Sequence, residues 1–355
     1  MPKTIPLMAM DFAGSATSDT LPDTDSNPSG DWQQQLARAI TEPQQLLQYL
    51  QLDAQHFGDF SAASRQFSIR VPHAYLRKIR PGEADDPLLL QIMAQAEESH
   101  QVAGFKQDPV GDLQASQAPG LLHKYPGRVL LITTGACAVH CRYCFRRHFP
   151  YAQQQAGRDQ WQSALDYIRA EQSIEEVILS GGDPLVLSDH RLSMLIEQLQ
   201  AIPHISRLRL HSRLPVVLPD RITDRLIEIL ASSRFDTALV IHANHASEIA
   251  ADETRVLRKL QAAGILLLNQ AVLLKGINHR LEQQQALSRA LFSAGVLPYY
   301  LHLLDSVQGA AHFDVGLQQA NQLMEQLRAS MPGFLVPRLV REIEGEQSKT
   351  PANEL

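Results

Sequence analysis

Cysteine is scarce in this chain of 355 residues: there are three, Cys137, Cys141 and Cys144. An odd number confined to so short a stretch excludes a disulfide framework and points to metal ligation or redox chemistry. No run of about 18 apolar residues is present, so a spanning helix is not expected. The N-terminal MPKTIPLMAMDFAGSATSDTLPD lacks a sustained apolar core followed by a cleavage-like site, so no export signal is expected and a cytoplasmic protein is. Charge of one sign is not in large excess. A net charge of −6 gives no general attraction to nucleic acid or anionic membrane, and neither is expected as a partner. With 44% hydrophobic and 20% charged residues the chain is not of the disordered class, and its length suits roughly two domains.

Residues 1–30 are rich in Ser, Thr, Asp, Pro and Gly without apolar periodicity, and read as a flexible arm. From 31 to 118 the pattern is helical. Thr41 would cap a helix with Pro43 in its first turn, and DDPLLLQIMAQAEE after Gly82 continues the helical texture. From 119 to 330 short apolar runs alternate with longer amphipathic segments. The strand candidates are 128–137, 175–183, 206–213, 237–245, 264–274 and 296–305, each followed by a helical pattern, which favours parallel strands. Residues 331–355 form a C-terminal segment. No internal repeat is visible beyond this alternation.

Polar residues gather where those strands end: Cys137, Ser180 to Asp183, His211 and Arg213, His242 and His245, Asn269 and Gln270, His302 and Asp305. Any one of them could be polar only because strand ends approach solvent. Together they suit the face of a barrel, whose site is built from many strand ends. An α/β fold with a partial (β/α)6 barrel is therefore expected over a flat doubly wound sheet.

The segment GACAVHCRYCFRRHFPY sets the cysteines as C-x3-C-x2-C just after the first barrel strand. Three thiolates can hold three irons of a [4Fe-4S] cluster and leave the fourth open to a small molecule. Zinc is the alternative, with His140 or His148 as fourth ligand. An inert group of thiols is the third reading. Arg142 and Arg147 could form a solvated basic face.

The cysteine spacing in this position resembles the radical S-adenosylmethionine enzymes. YPGRVLLITTGACAVHCRYCFRRHF, ILSGGDPL, HSRLPVVLPDRIT, HANHASEI, NQAVLLKGIN and PYYLHLLDSVQGAAHF are similar, in the same order, to segments of the lysine 2,3-aminomutase family. The match runs from about Leu121 to Lys349. YCFRRHFPY and REIEGEQSKTP resemble its short bacterial members, which supply β-lysine for modifying translation elongation factor P.

The resemblance implies that Cys137, Cys141 and Cys144 hold the cluster, which cleaves S-adenosyl-L-methionine to a 5'-deoxyadenosyl radical. Ser180, Gly181, Gly182 and Asp183 would meet the amino end of that cofactor, glycine allowing close approach and Asp183 accepting from the ammonium. A Gly-Gly-Asp-Pro turn is the ordinary alternative. His242 and Gln270 would be further contacts, or merely satisfied polar groups. Lys349 is implied as the Schiff-base lysine of pyridoxal 5'-phosphate, where a terminal lysine is otherwise a surface charge. Tyr125 and Arg128 are implied at the phosphate, a neutral donor beside a guanidinium fork.

For the substrate, Arg146 is implied as the carboxylate clamp and Asp305 and Glu342 as ammonium partners, Glu342 standing where the family has Asp. The glycines that precede the lysine in the family are also missing before Lys349, and only six residues follow it, so the family's oligomeric state is not carried over. The implied enzyme is an isomerase that moves the amino group of L-lysine from Cα to Cβ. Its reducing partner would be a flavodoxin or ferredoxin, and a separate ligase would join β-lysine to elongation factor P. Two alternatives remain at this point: a radical enzyme without pyridoxal phosphate that modifies a peptide or protein, and a non-enzymatic metal-binding adaptor working through the arginines after Cys144.

Overall fold

The computed structural model describes residues 31–154 and 161–354. The expected arm over residues 1–30 lies outside them. Among the described residues ten strands form one sheet in chain order. β1 (Ser116–Ala118), β2 (Leu121–Tyr125) and β3 (Arg128–Thr134) pair antiparallel. From β3 every pair is parallel through β4 (Glu176–Gly181), β5 (Arg207–Ser212), β6 (Asp236–Ile241), β7 (Leu266–Val272), β8 (Leu297–His302) and β9 (Arg338–Arg341). β10 (Thr350–Pro351) turns back antiparallel on β9. The six expected strands are β3 to β8, and β9 adds a seventh parallel member. A doubly wound sheet reverses its strand order at a switch point. Here the order never reverses, which is the winding of a partial barrel.

The helices between the strands follow from spacing and caps. In Asp189–Gln200 the Ser188 side chain accepts from Arg191 N, and Leu192, Leu195, Ile196 and Leu199 are buried at the i, i+3, i+4, i+7 positions of one face. In Asp224–Ala231 the Thr223 hydroxyl accepts from Leu226 N, and Leu226, Ile229 and Leu230 are buried. These side chains share one apolar core with Val129, Leu131, Val177, Leu179, Leu208, Leu210, Leu239 and Ile241. Each fully buried Leu or Ile stabilises the fold by about 1.5–3 kcal/mol. Side chains alternate along a strand, so the intervening residues look the other way. Ile132, Ile178 and Val240 are buried outside that core, and with them stand Ser180, Arg209, His211, Gln270 and His302. The barrel's inner face is thus the polar one.

The region from 31 to 118 belongs to the same compact unit as the barrel and is less helical than its sequence suggests. Its α-helices are short: Trp32–Ala37, Pro43–Tyr49, Ser61–Gln66 and His73–Leu76. Glu42, not Thr41, is the cap of the second, and it makes no side-chain cap bond. The DDPLLLQIMAQAEE segment is not a helix but a series of turns ending in a short 3-10 helix, Ala96–Ser99. Asp86 starts one helical turn by accepting from Leu88 N and Leu89 N. The turn does not propagate, because the Gln91 carbonyl accepts from Arg142 N at 2.9 Å, in the cysteine loop. Leu88, Leu89, Ile92 and Met93 are nevertheless buried.

Nor do Arg142 and Arg147 make a solvated face. Both pair with Glu98, at 2.6 and 2.7 Å, and all three side chains are 0% exposed. Arg142 also donates to Phe67 O at 2.6 Å, and both guanidiniums stack on the Phe67 ring. A buried carboxylate shared by two cations leaves two uncompensated charges when removed. Glu98→Ala should therefore lower the unfolding free energy by about 3–5 kcal/mol, read by chemical denaturation. A loss below about 1 kcal/mol, the scale of an exposed pair, would contradict this.

Candidate active site

Beyond β3 the chain enters the loop that carries Cys137, Cys141 and Cys144, all free and partly exposed. The β4 end grips the start of this loop: Gly182 N donates to Thr134 O at 2.7 Å and Asp183 N to Ala136 O at 2.8 Å. A Cβ at position 182 would lie 2.2 Å from the Ala136 carbonyl oxygen, and Gly181 sits at φ +120, so both glycines are required. The close approach they permit is to the chain itself. Farther along, His140 N bonds Arg70 O at 3.0 Å and Cys144 N bonds Cys141 O at 3.0 Å.

Burial and the neighbouring Cys144 push the Cys137 thiol well above its ordinary value. Burial, then Cys141, pushes Cys144 up to about 11. Crowded thiols of this kind ionise when a cationic inorganic group neutralises them. The donor set fits a cluster, in which each thiolate takes a different iron. For the zinc alternative, His140 Nδ1 bonds Ser68 O at 2.9 Å with its ring stacked on Phe67, and His148 Nε2 bonds Gln308 O at 3.1 Å. One bonded ring nitrogen leaves the other able to ligate, but the side-chain positions do not suit a single zinc ion. Among the described residues no three Cys, His, Asp or Glu side chains converge on a single ion position.

Asp183 was expected to receive an ammonium. Within the protein its carboxylate accepts from Ser212 Oγ at 2.7 Å, Arg213 N at 2.8 Å and Leu185 N at 3.0 Å, binding the end of β4 to the end of β5. Burial raises it to about 6 despite those bonds. Ser180 Oγ accepts from Arg146 Nη1 at 3.3 Å. Other strand-end groups are unsatisfied within the protein. Gln270 Nε2, His211 Nε2, His302 Nε2, Asp305 Oδ1 and Tyr125 OH are buried with no hydrogen-bond partner among the described residues. Burial lowers His242 to about 4, and His211 and His302 well below the usual histidine range, so all three are neutral near pH 7.

Charged side chains cross the site in an alternating series. Arg146 Nε meets Asp112 at 2.6 Å, Asp112 meets Lys124 at 2.5 Å, Lys124 meets Glu342 at 2.8 Å, and Glu342 meets Lys349 at 2.9 Å. Lys124 is the last residue but one of β2 and Glu342 follows β9, so the series ties the two sides of the open sheet together. Burial alone would raise Glu342, but the Lys349 and Lys124 ammoniums hold it well below the carboxylate range. Burial and then the Glu342 charge raise its neighbour Asp305 to about 7. Arg146 also lines a surface pocket with Asp108, Phe145 and Phe149. Tyr125 carries the Arg128 guanidinium over its ring at 4.7 Å, and among the described residues Arg128 forms no ion pair.

The structure thus brings Arg146, Glu342, Lys349 and Asp305 into one site and sets Ser180 against Arg146. Asp112 and Lys124 were missed by sequence reasoning. Lys124 directly precedes Tyr125, which was its one signal, and Asp112 gave none.

A protonated Asp305 has a sign that can be checked. An unfolded aspartate titrates near about 3.9. Between that value and about 7 the unfolded chain releases a proton that the folded chain keeps, so the folded state loses stability as pH rises through this window. At full expression the loss is at most about 4 kcal/mol. Asp305→Asn removes it, and the unfolding free energy of the variant relative to the parent should improve between about pH 5 and about pH 8. A difference that stays constant across that range would refute the raised carboxyl.

Comparison with known proteins bears on what this arrangement serves. Residues 131–282 match the Radical SAM superfamily. The chain is 49% identical over 322 residues to the L-lysine 2,3-aminomutase of Escherichia coli (strain K12), covering 90% of this chain and 94% of that protein. It is 34% identical over 322 residues to the L-lysine 2,3-aminomutase of Clostridium subterminale, covering 90% and 77%. Among solved structures, a radical SAM methyltransferase from Sphaerobacter thermophilus is similar with a TM-score of 0.44 and 16% identity over 62% of this chain and 68% of that one. The non-enzymatic adaptor is set aside by this kinship, and its arginines are buried. The chain belongs to the lysine 2,3-aminomutase family of the radical SAM superfamily and is an enzyme, an isomerase of that type.

Proposed function

We propose that the protein converts L-lysine to β-lysine by 2,3-amino migration, with a [4Fe-4S] cluster on Cys137, Cys141 and Cys144, S-adenosyl-L-methionine, and pyridoxal 5'-phosphate on Lys349. The observation that carries the reading is the charge series itself. It sets a guanidinium two residues after Cys144 at one end and, at the other, the Glu342 carboxylate bonded to Lys349, with the Asp305 carboxyl beside it. The substrate has the matching ends, one carboxylate and one distal ammonium.

The cluster and S-adenosyl-L-methionine supply an electron and a 5'-deoxyadenosyl radical. Gln270, with its unpartnered buried Nε2, and the neutral His242 are suited to contact the second of these. Ser180, Gly181, Gly182 and Asp183 remain assigned there by family likeness, and their observed bonds give them a second task, fixing the cysteine loop. Pyridoxal phosphate supplies a carbonyl and a conjugated ring. The unsatisfied Tyr125 hydroxyl and the unpaired Arg128 fit its phosphate, and Lys349 fits its carbonyl end.

The protein's own groups then act as positioners. Arg146 uses Nε on Asp112 and Nη1 on Ser180, and among the described residues its Nη2 has no acceptor, so a substrate carboxylate can take it. Glu342 Oε2 accepts from Lys349 Nζ at 2.9 Å. An uncharged Lys349 would release Glu342 Oε2 for another cation, and the distal ammonium of lysine is one. Asp305, protonated up to about 7, would ionise beside that ammonium and add a second acceptor. Family likeness also supports a flavodoxin or ferredoxin as electron donor, a cytoplasmic setting, and delivery of β-lysine to elongation factor P through a separate ligase. No helix among the described residues is long and apolar enough to cross a membrane.

The test is anaerobic turnover of reconstituted protein with reductant, S-adenosyl-L-methionine and L-lysine, with and without pyridoxal phosphate, read by mass spectrometry. β-Lysine should form only with pyridoxal phosphate. Ala at any of the three cysteines should abolish both β-lysine and 5'-deoxyadenosine. Borohydride reduction should fix the cofactor, less the water lost on condensation and plus two hydrogens, as a phosphopyridoxyl group on the peptide containing Lys349. Turnover by Lys349→Ala at the parent rate would instead favour a radical enzyme independent of pyridoxal phosphate.

A further inference from the structure

Arg213 stands out among the buried groups that the reading above leaves unused. It follows β5 and is 6% exposed, and its Nη1 lies 2.7 Å from Cys141 Sγ. The rest of its guanidinium is fixed from several sides. Nη2 donates to Glu248 Oε1 at 2.6 Å, Gln91 Oε1 at 2.7 Å and Tyr75 OH at 3.3 Å. The planar group also lies over the rings of Tyr75 and Tyr143, at 5.5 and 5.6 Å. Glu248 is fixed in turn by Asn244 N at 2.6 Å and His245 N at 2.9 Å, and Tyr75 is fully buried. A side chain merely filling space would not need one N–H aimed at a ligating sulfur by four other residues.

We infer that Arg213 is a positioning residue that sets the reduction potential of the cluster through its hydrogen bond to Cys141, with Glu248 as the group that orients it. The inference rests on the cluster assignment to the three cysteines. Reduction adds one negative charge to a cluster, part of which falls on its sulfurs. A buried donor at one sulfur favours the reduced state and raises the potential. Glu248 offsets the guanidinium charge. The hydrogen bond therefore acts without a full uncompensated cation beside the cluster.

The test is a redox titration of the reconstituted parent and of Arg213→Met, Arg213→Lys and Glu248→Gln, followed by visible and electron paramagnetic resonance spectra, with iron and sulfide measured for each. Arg213→Met should shift the midpoint to a more negative potential, and Arg213→Lys, which keeps a charge but only one donor nitrogen in place of a planar fork, should fall between it and the parent. Glu248→Gln should shift the midpoint the other way, because Tyr75, Gln91 and the two rings still hold a guanidinium whose charge is no longer offset. A fully loaded Arg213→Met with the parent's midpoint overturns the inference. If Arg213→Met does not load, Glu248→Gln decides, and an unchanged or more negative midpoint there overturns it. A parent that binds no iron and sulfide would instead remove the cluster assignment, which keeps the two failures distinguishable.

Discussion

A loop without secondary structure takes its shape from whatever grips its backbone, and the loop carrying three thiols is gripped on both sides. The β4 end holds Thr134 and Ala136 through two backbone N–H groups, at a separation that only glycine at 182 allows. The opposite side is held by the N-terminal region, through Gln91 O and Arg70 O. The side chains reinforce the same grip, because Glu98 neutralises two arginines of the loop beneath its surface. The region from 31 to 118 is therefore part of the site's foundation. Its failure to form a continuous helix has the same cause, since the Gln91 carbonyl that accepts from the cysteine loop is not bonded to the next helical turn.

The strands, their order and the polar strand ends were legible in the sequence because they rest on local periodicity. Alternating residues such as Leu208, Arg209, Leu210 and His211 announce two faces whatever the rest of the chain does. The misread features all depend on distant partners. Arg142 and Arg147 sit in a charged run that looks solvated, and Glu98, 44 residues from Arg142, reverses that. Lys124 reaches Glu342 across 218 residues, a contact that no window of sequence reveals. Asp183 is a different case: it was legible as a strand-end acid, and the fold adds bonds from Ser212 and Arg213, at the end of the next strand, that local sequence did not announce. Residue type and position predicted that these groups matter. Only the fold decides whom they serve.

Burial sorts the site's ionisable groups into two populations. The imidazoles of His211, His242 and His302 lose their charge to desolvation, and Asp305 keeps its proton for the same reason. Arg146, Asp112, Lys124 and Glu342 stay ionised because each touches a partner of opposite sign, with Lys349 bonded to the last of them. The inner face thus offers neutral donors and acceptors along the strand ends, and fixed charges only along one line between β2 and β9.

That line has three cations and two anions, so it ends on a cation at both sides. An alternating series with cationic ends is electrostatically incomplete: Arg146, though buried, keeps Nη2 without an acceptor among the described residues, and Lys349 closes the far end on Glu342 alone. A ligand with a carboxylate and a distant ammonium extends the alternation at the first end and replaces the cation at the second. An amino acid with an uncharged side chain could do only the first, leaving Glu342 short of one ammonium in a buried setting where an unpaired carboxylate is costly. Discrimination at the distal position would then arise less from attraction to lysine than from the penalty that a shorter or neutral side chain imposes on Glu342.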